Sequence, residues 1–152
     1  MIEWKTLPFS QLTTTELYQL LQLRVDVFVV EQTCPYPELD GKDILDDVFH
    51  LLGYQDEQLV ACARLLGKGI SYPSVSIGRV ASAMQYRGDG VGHQLLEQAI
   101  HQCETLWPNC DIEIGAQQHL HDFYVKHGFV QTSDMYLEDD IPHIDMKRAN
   151  RG

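Results

Sequence analysis

A glycine-rich segment between a β-like run and a long helical pattern restricts the fold of this chain more than any other feature. The run Val75–Ser82 is largely apolar, and the segment Arg87–Gly92 reads Arg-Gly-Asp-Gly-Val-Gly. Residues 89–107 then carry apolar side chains at helical spacing. A strand, a glycine loop and a helix start leave unpaired N–H groups at the positive end of the helix dipole. Because glycine permits close approach, this connection suits a bound anion such as a pyrophosphate.

The two common nucleotide motifs do not account for this loop. The dinucleotide fingerprint would need glycine at position 93, which is His93, and a P-loop would end in Gly-Lys-Ser/Thr, which is missing. Glycines alone would also suit a turn that binds nothing. The identity of a ligand therefore depends on other parts of the chain.

Size and charge limit the function classes. The chain has 152 residues, which fits one domain over residues 1–152 that buries a sizeable core. Its net charge of -11 makes nucleic acid an unsuitable partner, because phosphate contacts need clustered Lys and Arg. An acidic surface suits a cationic or amine substrate, although it also serves solubility alone.

The sequence indicates a cytoplasmic protein without a membrane span or a metal site. The start lacks a basic segment followed by an apolar run, and no stretch approaches the roughly 18 apolar residues of a membrane helix. The four cysteines form no Cys-x-x-Cys pair and are expected as reduced thiols. The seven histidines are scattered and form no His-Glu-x-x-His motif.

The order of the elements predicts an α+β domain. Thr13 and Glu16 have the spacing of a capping box, and the helix they open fades near Glu31. Residues 32–47 are rich in proline and acids, which predicts an ordered loop. The polar turn 55–57 predicts a hairpin between its flanking strands. The predicted strands are 2–9, 48–54, 59–66, 75–82, 111–116, 129–136 and 143–148, and the later helices are 89–107 and 120–127.

Several motifs, in order along the chain, resemble the GNAT N-acetyltransferases. Arg87, Gly90 and Gly92 fit the Gln/Arg-x-x-Gly-x-Gly/Ala pattern, and Phe123–Phe129 resembles the family's tyrosine helix, which ends in Gly-Phe. Two further parts of the chain resemble the ElaA-like branch of this family. They are Val27–Gln32 together with Cys34-Pro35-Tyr36, and Glu138–His143. The resemblance covers nearly the whole chain.

This resemblance implies a mixed, mostly antiparallel central sheet with flanking helices and a splayed strand pair that binds acetyl-CoA. In the family, one of those strands pairs with the pantetheine arm, and the glycine loop amides hold the pyrophosphate. Position 117 is often a cofactor-contacting asparagine, so glutamine there is a departure. The implied cofactor-binding residues are Val80, Ala81, Ser82, Arg87, Gly88, Asp89, Gly90, Val91, Gly92, His93 and Gln117.

The implied reaction moves an acetyl group from acetyl-CoA to an amine of a small molecule or peptide by direct attack. Tyr124 matches the tyrosine that protonates the leaving thiolate. From the residues alone, a core aromatic is the favoured interpretation of Tyr124, because it lies on the apolar face of its helix. An enzyme of this kind needs no metal.

The acceptor site is expected at the end of the first helix and along the last strand. The expected acceptor-binding residues are Glu31, Cys34, Tyr36, His50 and His143. The candidates for the general base are Glu31, His50 and His143, which could take the proton directly or through a water. An amine can also lose its proton unaided. Glu113 is not a candidate, since strand alternation turns it to the face opposite Ile112.

Two other functions fit parts of the sequence. A non-catalytic acyl-CoA sensor would need the glycine loop but not Tyr124. Acyl-homoserine-lactone synthases share the fold, and a pattern in this chain resembles theirs, although Arg24 can instead pin the acidic loop by ion pairs. That pattern comprises Arg24, Phe28, Asp40, Asp43 and Arg64-Leu65-Leu66. A homodimer is a further option.

Overall fold

A mixed sheet forms the centre of the molecule, in a computed structural model that describes residues 1–150. The strands are β1 Glu3–Pro8, β2 Val48–Gln55, β3 Gln58–Leu66, β4 Val75–Ser82, β5 Ile112–Gln117, β6 Val130–Gln131, β7 Tyr136–Glu138 and β8 Ile141–Arg148. They run in the order β1-β2-β3-β4-β5-β8-β6, with β7 also paired to β8, and only β4 and β5 are parallel among the described pairs. This confirms the mostly antiparallel sheet. The helices are α1 Thr14–Val25, α2 Val91–Leu106 and α3 His121–Val125.

Helices cover both faces of the sheet, because strand alternation supplies an apolar side chain to each face. Leu51 of β2 packs in the core beneath α2, whereas its neighbour Leu52 packs in the core beneath α1. Both leucines are fully buried. The long apolar runs of the central strands follow from this burial on two sides, which is why they do not alternate with polar residues.

The capping box of α1 forms as expected. The Thr13 hydroxyl accepts the Glu16 amide hydrogen at 3.1 Å, and the Thr13 amide donates to the Glu16 carboxylate at 2.9 Å. Beyond Val25 the chain widens into a π-helical stretch, Asp26–Glu31, before the acidic loop begins. Such stretches are rare and often occur at functional sites.

Buried ion pairs fix the acidic loop 32–47 to the sheet. Arg24, which is 1% exposed, donates to Glu38 at 2.8 Å and to Asp43 at 2.7 Å. Arg64 of β3 donates to Asp43 at 3.1 Å and to both oxygens of Asp40 at 2.9 Å. Arg24 therefore has the structural role that was the alternative to substrate contact.

The single strand expected over residues 129–136 is wrong. Two short strands, β6 and β7, flank an irregular segment, and both pair with β8. The cause is Ser133, whose hydroxyl accepts the Asp145 amide hydrogen at 2.9 Å. That side chain takes the bond that a continuous strand would have made with its own backbone.

The strand pair β4 and β5 diverges, as the resemblance implied. Pairing is confined to Val75 with Ile112 and Ser76 with Glu113. Beyond this point β4 stays paired with β3, and β5 stays paired with β8. The edges of β4 and β5 that face each other are therefore open, and they form the two walls of a cleft.

Candidate active site

The cleft between β4 and β5 has a volume of about 420 Å³. It is bordered by the π-helical stretch, by α3 and by the β7–β8 turn. Most of the expected site residues line it, and they come from segments far apart in the sequence. Those residues are Glu31, Cys34, Tyr36, Val80, Ala81, Ser82, Arg87, Gln117, Tyr124 and His143.

The start of α2 lacks any side-chain cap. Its N-cap is Gly90, with φ of 77°, and the first intrahelical bond runs from the Gln94 amide to the Gly90 carbonyl. The amides of Val91, Gly92 and His93 precede that bond and have no helical partner. An added Cβ at Gly88 or Gly90 would meet nothing within 4 Å. This contrasts with the fully capped α1 and leaves three aligned N–H groups for an anion.

The side chain of His93 turns away from this loop. Its Nδ1 lies 2.8 Å from Nε2 of His127, and its ring packs against Phe123 at a centroid distance of 4.7 Å. Burial, with a further contribution from His93, lowers the pKa of His127. His93 thus offers the loop only its amide, while its ring joins α2 to the end of α3.

Arg87 bridges the glycine loop and the π-helical stretch that ends at Glu31. Its guanidinium donates to both oxygens of Glu31, at 2.6 and 2.8 Å, and to the Ser82 carbonyl at 2.8 Å. The hydrogen bond from Arg87 lowers the pKa of Glu31, against a smaller effect of burial. The Arg87 charge, which was expected to face an anion, is therefore already paired with Glu31. The Ser82 carbonyl already accepts a hydrogen bond from Arg87.

Tyr124 is held rigidly while its hydroxyl stays unbonded. The side chain is 7% exposed and packs edge-on against Phe123 and Phe129, with centroids 5.2 and 5.8 Å away. The Phe129 amide donates to the Tyr124 carbonyl, and Gly128 with φ of 91° completes the helix end. Within residues 1–150 the hydroxyl makes no hydrogen bond, and burial raises the pKa of Tyr124 to about 12.

His143 presents one ring nitrogen to the cleft. Its Nδ1 lies 2.8 Å from the Ile141 carbonyl, and its Nε2 lies 3.6 Å from Oε2 of Glu138. A carbonyl can only accept, so Nδ1 carries the hydrogen and Nε2 of the neutral ring is the basic nitrogen. The Tyr136 ring stacks on His143 with a centroid distance of 6.1 Å, which fixes the orientation of the imidazole.

His50 does not belong to the cleft. It is 1% exposed, its Nε2 bonds the Asp43 carbonyl at 3.0 Å, and it does not line the cavity. Burial lowers its pKa, with the Asp43 carbonyl opposing that shift. The expectation that His50 contacts the acceptor or acts as base is wrong, because its position on β2 places it beneath the acidic loop. Glu113 is likewise engaged elsewhere, with Oε1 2.6 Å from the Ser74 hydroxyl.

Sequence reasoning missed Arg79, which lines the cleft from β4. Its guanidinium carbon lies 5.0 Å from the Phe28 ring centre and 5.2 Å from that of Tyr36. The available signal was Gly78 inside a buried strand, since an internal glycine often marks a bulge that redirects the next side chain.

A family model described as an acetyltransferase (GNAT) domain matches residues 24–149. The chain belongs to the GNAT acetyltransferase family. Protein ElaA of Escherichia coli is 46% identical over 148 residues, covering 97% of each chain. Its crystal structure superposes with a TM-score of 0.92 at 45% identity, covering 97% of this chain and 99% of that one.

An acyl-CoA N-acyltransferase from Pseudomonas aeruginosa is similarly close, with 47% identity and a TM-score of 0.90, covering 98% of this chain and all of that one. A CoA-dependent acyl-homoserine lactone synthase superposes with a TM-score of 0.79 at 20% identity, covering 99% of this chain and 83% of that one. That second likeness shows the shared fold alone. The GNAT family places the chain among acyl-CoA-dependent acyltransferases.

Among residues 1–150, no helix combines the length and apolarity needed to cross a bilayer. The same residues hold no group of three or more His, Cys, Asp or Glu side chains arranged around a metal position.

Proposed function

We propose that this GNAT protein transfers an acetyl group from acetyl-CoA to an amine of a small molecule or peptide. The observation that carries the proposal is the unbonded Tyr124 hydroxyl in the cleft, combined with the uncapped helix start at Gly90, which does not line the cavity but follows the cleft residue Arg87 in the chain. The first group suits a leaving thiolate and the second suits a phosphate. A protein that only bound acyl-CoA would need the second feature but not the first.

The residues present fit acetyl-CoA as a substrate. The free amides of Val91, Gly92 and His93 would hold the pyrophosphate, with Gly88, Asp89 and Gly90 forming the open loop before them. Val80, Ala81 and Ser82 on β4, and Gln117 on β5, would line the path of the pantetheine arm. When bound, the thioester supplies an activated acyl carbon and a thiolate leaving group.

His143 is the residue best arranged to take the amine proton. Its Nδ1–H is held by the Ile141 carbonyl, so Nε2 is free to accept a proton in the neutral ring. The nearby Glu138 carboxylate would stabilise the imidazolium that results. Glu31 is less suitable as a base, since Arg87 lowers its pKa and occupies both of its oxygens.

Tyr124 would act on the sulfur. With its pKa raised to about 12, it is protonated at every physiological pH. An ordinary thiol has a pKa of about 8.5, so a full proton transfer to the thiolate would be uphill by roughly three to four units. The phenol therefore stabilises the developing thiolate mainly as a hydrogen-bond donor while the carbon–sulfur bond breaks.

Glu31, Cys34, Tyr36 and His143 would surround the acceptor. A reducing, cytoplasmic location agrees with the four free thiols. A homodimer stays a prediction from the sequence.

The proposal is tested by a screen of amines with acetyl-CoA, in which free thiol is recorded and the acetylated product is identified by mass. We expect thiol release that depends on the amine and yields an N-acetyl product. CoA binding without turnover on any amine would favour the sensor. Turnover only with longer acyl donors would contradict the acetyl assignment.

A further inference from the structure

Arg79 has a backbone conformation that residues other than glycine rarely adopt, with φ of 49°. It lies in a bulge where β3 and β4 change register between Cys62 and Arg64. Ile77 packs in the core beneath α2, whereas Ala81 packs in the core beneath α1. Regular alternation would place both on one face. The bulge thus shifts the alternation by one residue and turns Arg79 away from the α2 core.

Three neighbours fix the guanidinium of Arg79. The Phe28 and Tyr36 rings lie over it, and Nε lies 3.1 Å from Oε2 of Glu38. Tyr36 is itself held by Glu38, since its hydroxyl donates to Oε1 at 2.7 Å. Neither Nη1 nor Nη2 makes a hydrogen bond within residues 1–150, although the side chain is only 24% exposed. The forked end of the guanidinium is left to the cleft.

Positively and negatively charged side chains lie on different borders of the cleft. Arg87 is paired with Glu31, so Arg79 is the cation on the β4 wall with free donors. Glu138 and Asp139 lie at the β7–β8 turn, on another border of the same cavity. The cleft therefore offers an anion site at β4 and an acidic site beside His143.

We infer that the acceptor is an amine that also carries a carboxylate, which the free end of Arg79 binds. This inference rests on the proposed acetyltransferase function. A planar carboxylate matches the two parallel donors of the fork. A single negative charge suits the site better than a phosphate dianion, because Glu38 already shares its charge with Arg79 and the cleft holds further acids. The acceptor is then an amino acid, or a peptide that binds through its C-terminal carboxylate.

The test compares acceptors that differ only in the carboxylate. Amino acids, their carboxamides and the corresponding decarboxylated amines are assayed with acetyl-CoA. Dipeptides with a free C-terminus are assayed as well, to distinguish a free amino acid from a peptide as the acceptor. We expect wild-type kcat/KM to favour the carboxylate over the carboxamide by about tenfold or more. Arg79→Gln should abolish this preference and Arg79→Lys should keep part of it, because both variants should lower kcat/KM for the carboxylate more than for the carboxamide.

A second readout does not require turnover. The CoA-saturated protein is titrated calorimetrically with the best amino acid and with its carboxamide, in wild type and in Arg79→Lys. Equal binding or equal turnover of the two acceptors by wild type would overturn the inference. So would an Arg79→Gln variant that loses kcat/KM equally for both. These results are distinct from failure of the proposed function, in which no amine would release thiol.

Discussion

The ring of Tyr124 is held in place by its neighbours, whereas its hydroxyl makes no hydrogen bond within residues 1–150. Edge-on aromatic contacts and the glycine-terminated helix end hold the side chain, and burial keeps the phenol protonated by raising its pKa to about 12. A purely structural tyrosine usually finds a partner for its hydroxyl. The unpaired hydroxyl in a cleft therefore favours a chemical role.

We expect Tyr124→Phe to fold normally and to lose about a hundredfold in kcat, because the ring volume is kept and the donor to sulfur is lost. The free energy of unfolding should change by no more than about 1 kcal/mol. The matched control is Tyr54→Phe, which removes a hydroxyl bonded to Gln19 at 2.8 Å outside the cleft. Full activity in Tyr124→Phe would remove this residue from the reaction.

His143→Gln keeps a polar side chain but removes the basic nitrogen. We expect kcat/KM to fall by about tenfold to a hundredfold. His121→Gln, at a half-buried histidine of α3 that does not line the cleft, should leave kcat/KM unchanged. A His143→Gln variant with wild-type rates would show that the amine loses its proton unaided.

The positions of site residues were predictable from the sequence where a motif fixes the backbone, and not where tertiary packing decides. Gly90 lies in such a motif and is the N-cap of α2, and Tyr124 lies in another and lines the cleft. His50 was misassigned because nothing local shows that the acidic loop covers it. Arg79 was missed because its direction depends on a bulge between two strands.

At the scale of elements, Arg87 ties the glycine loop to the π-helical stretch. The Glu31→Gln variant would free the Arg87 charge from this bidentate contact and remove a carboxylate near the glycine loop.

We expect Glu31→Gln to bind CoA about twofold to fivefold more tightly at low salt, the range of a partly exposed ion pair. The gain should shrink as salt is added. Glu3→Gln, an exposed site on β1, removes the same charge and should not change the affinity. Weaker CoA binding by Glu31→Gln would instead mean that the bridge holds the loop in its binding conformation.

Element order was predictable because the periodic patterns are strong. The capping box, the hairpin and the long second helix all appear close to their expected bounds. The break between β6 and β7 could not be predicted, since it depends on a hydrogen bond from the distant Asp145 amide to the Ser133 hydroxyl.

At the scale of the whole molecule, burial of neutral histidines makes stability depend on pH. Burial lowers the pKa of both His50 and His127, so the unfolded chain binds protons that the folded chain does not. The stability they contribute is complete above the usual pKa of about 6.5 and is lost as the pH falls. Asp40 contributes to the pH dependence in a more acidic range. Burial would raise its pKa, but hydrogen bonds from Arg64 and the Lys42 amide outweigh burial and lower that pKa to about 2.

Denaturant unfolding should therefore show a free energy of unfolding that falls between about pH 6.5 and 5, by at most about 1.4 kcal/mol per pH unit for the buried His50 and by less for the half-buried His127, whose pKa shift solvent screens. This free energy should fall again below about pH 4 as Asp40 is protonated. His127→Gln should flatten the first decline, and His121→Gln should not. A curve that is flat from pH 7 to 5 would contradict the burial of these rings.

Calorimetry with CoA tests most directly whether the uncapped start of α2 holds the phosphates of acyl-CoA. We expect wild type to bind with a Kd in the micromolar range, roughly -8 kcal/mol. Gly90→Ala adds a methyl group in open space beside the free amides and should weaken binding about tenfold or more. Gly69→Ala is the matched control: φ is 83° there against 77° at Gly90, with equally open surroundings, so both should lose about 1 kcal/mol of stability. Only Gly90→Ala should lose affinity. CoA binding that is unchanged in Gly90→Ala, or equally weakened in both variants, would show that this helix start does not bind the phosphates.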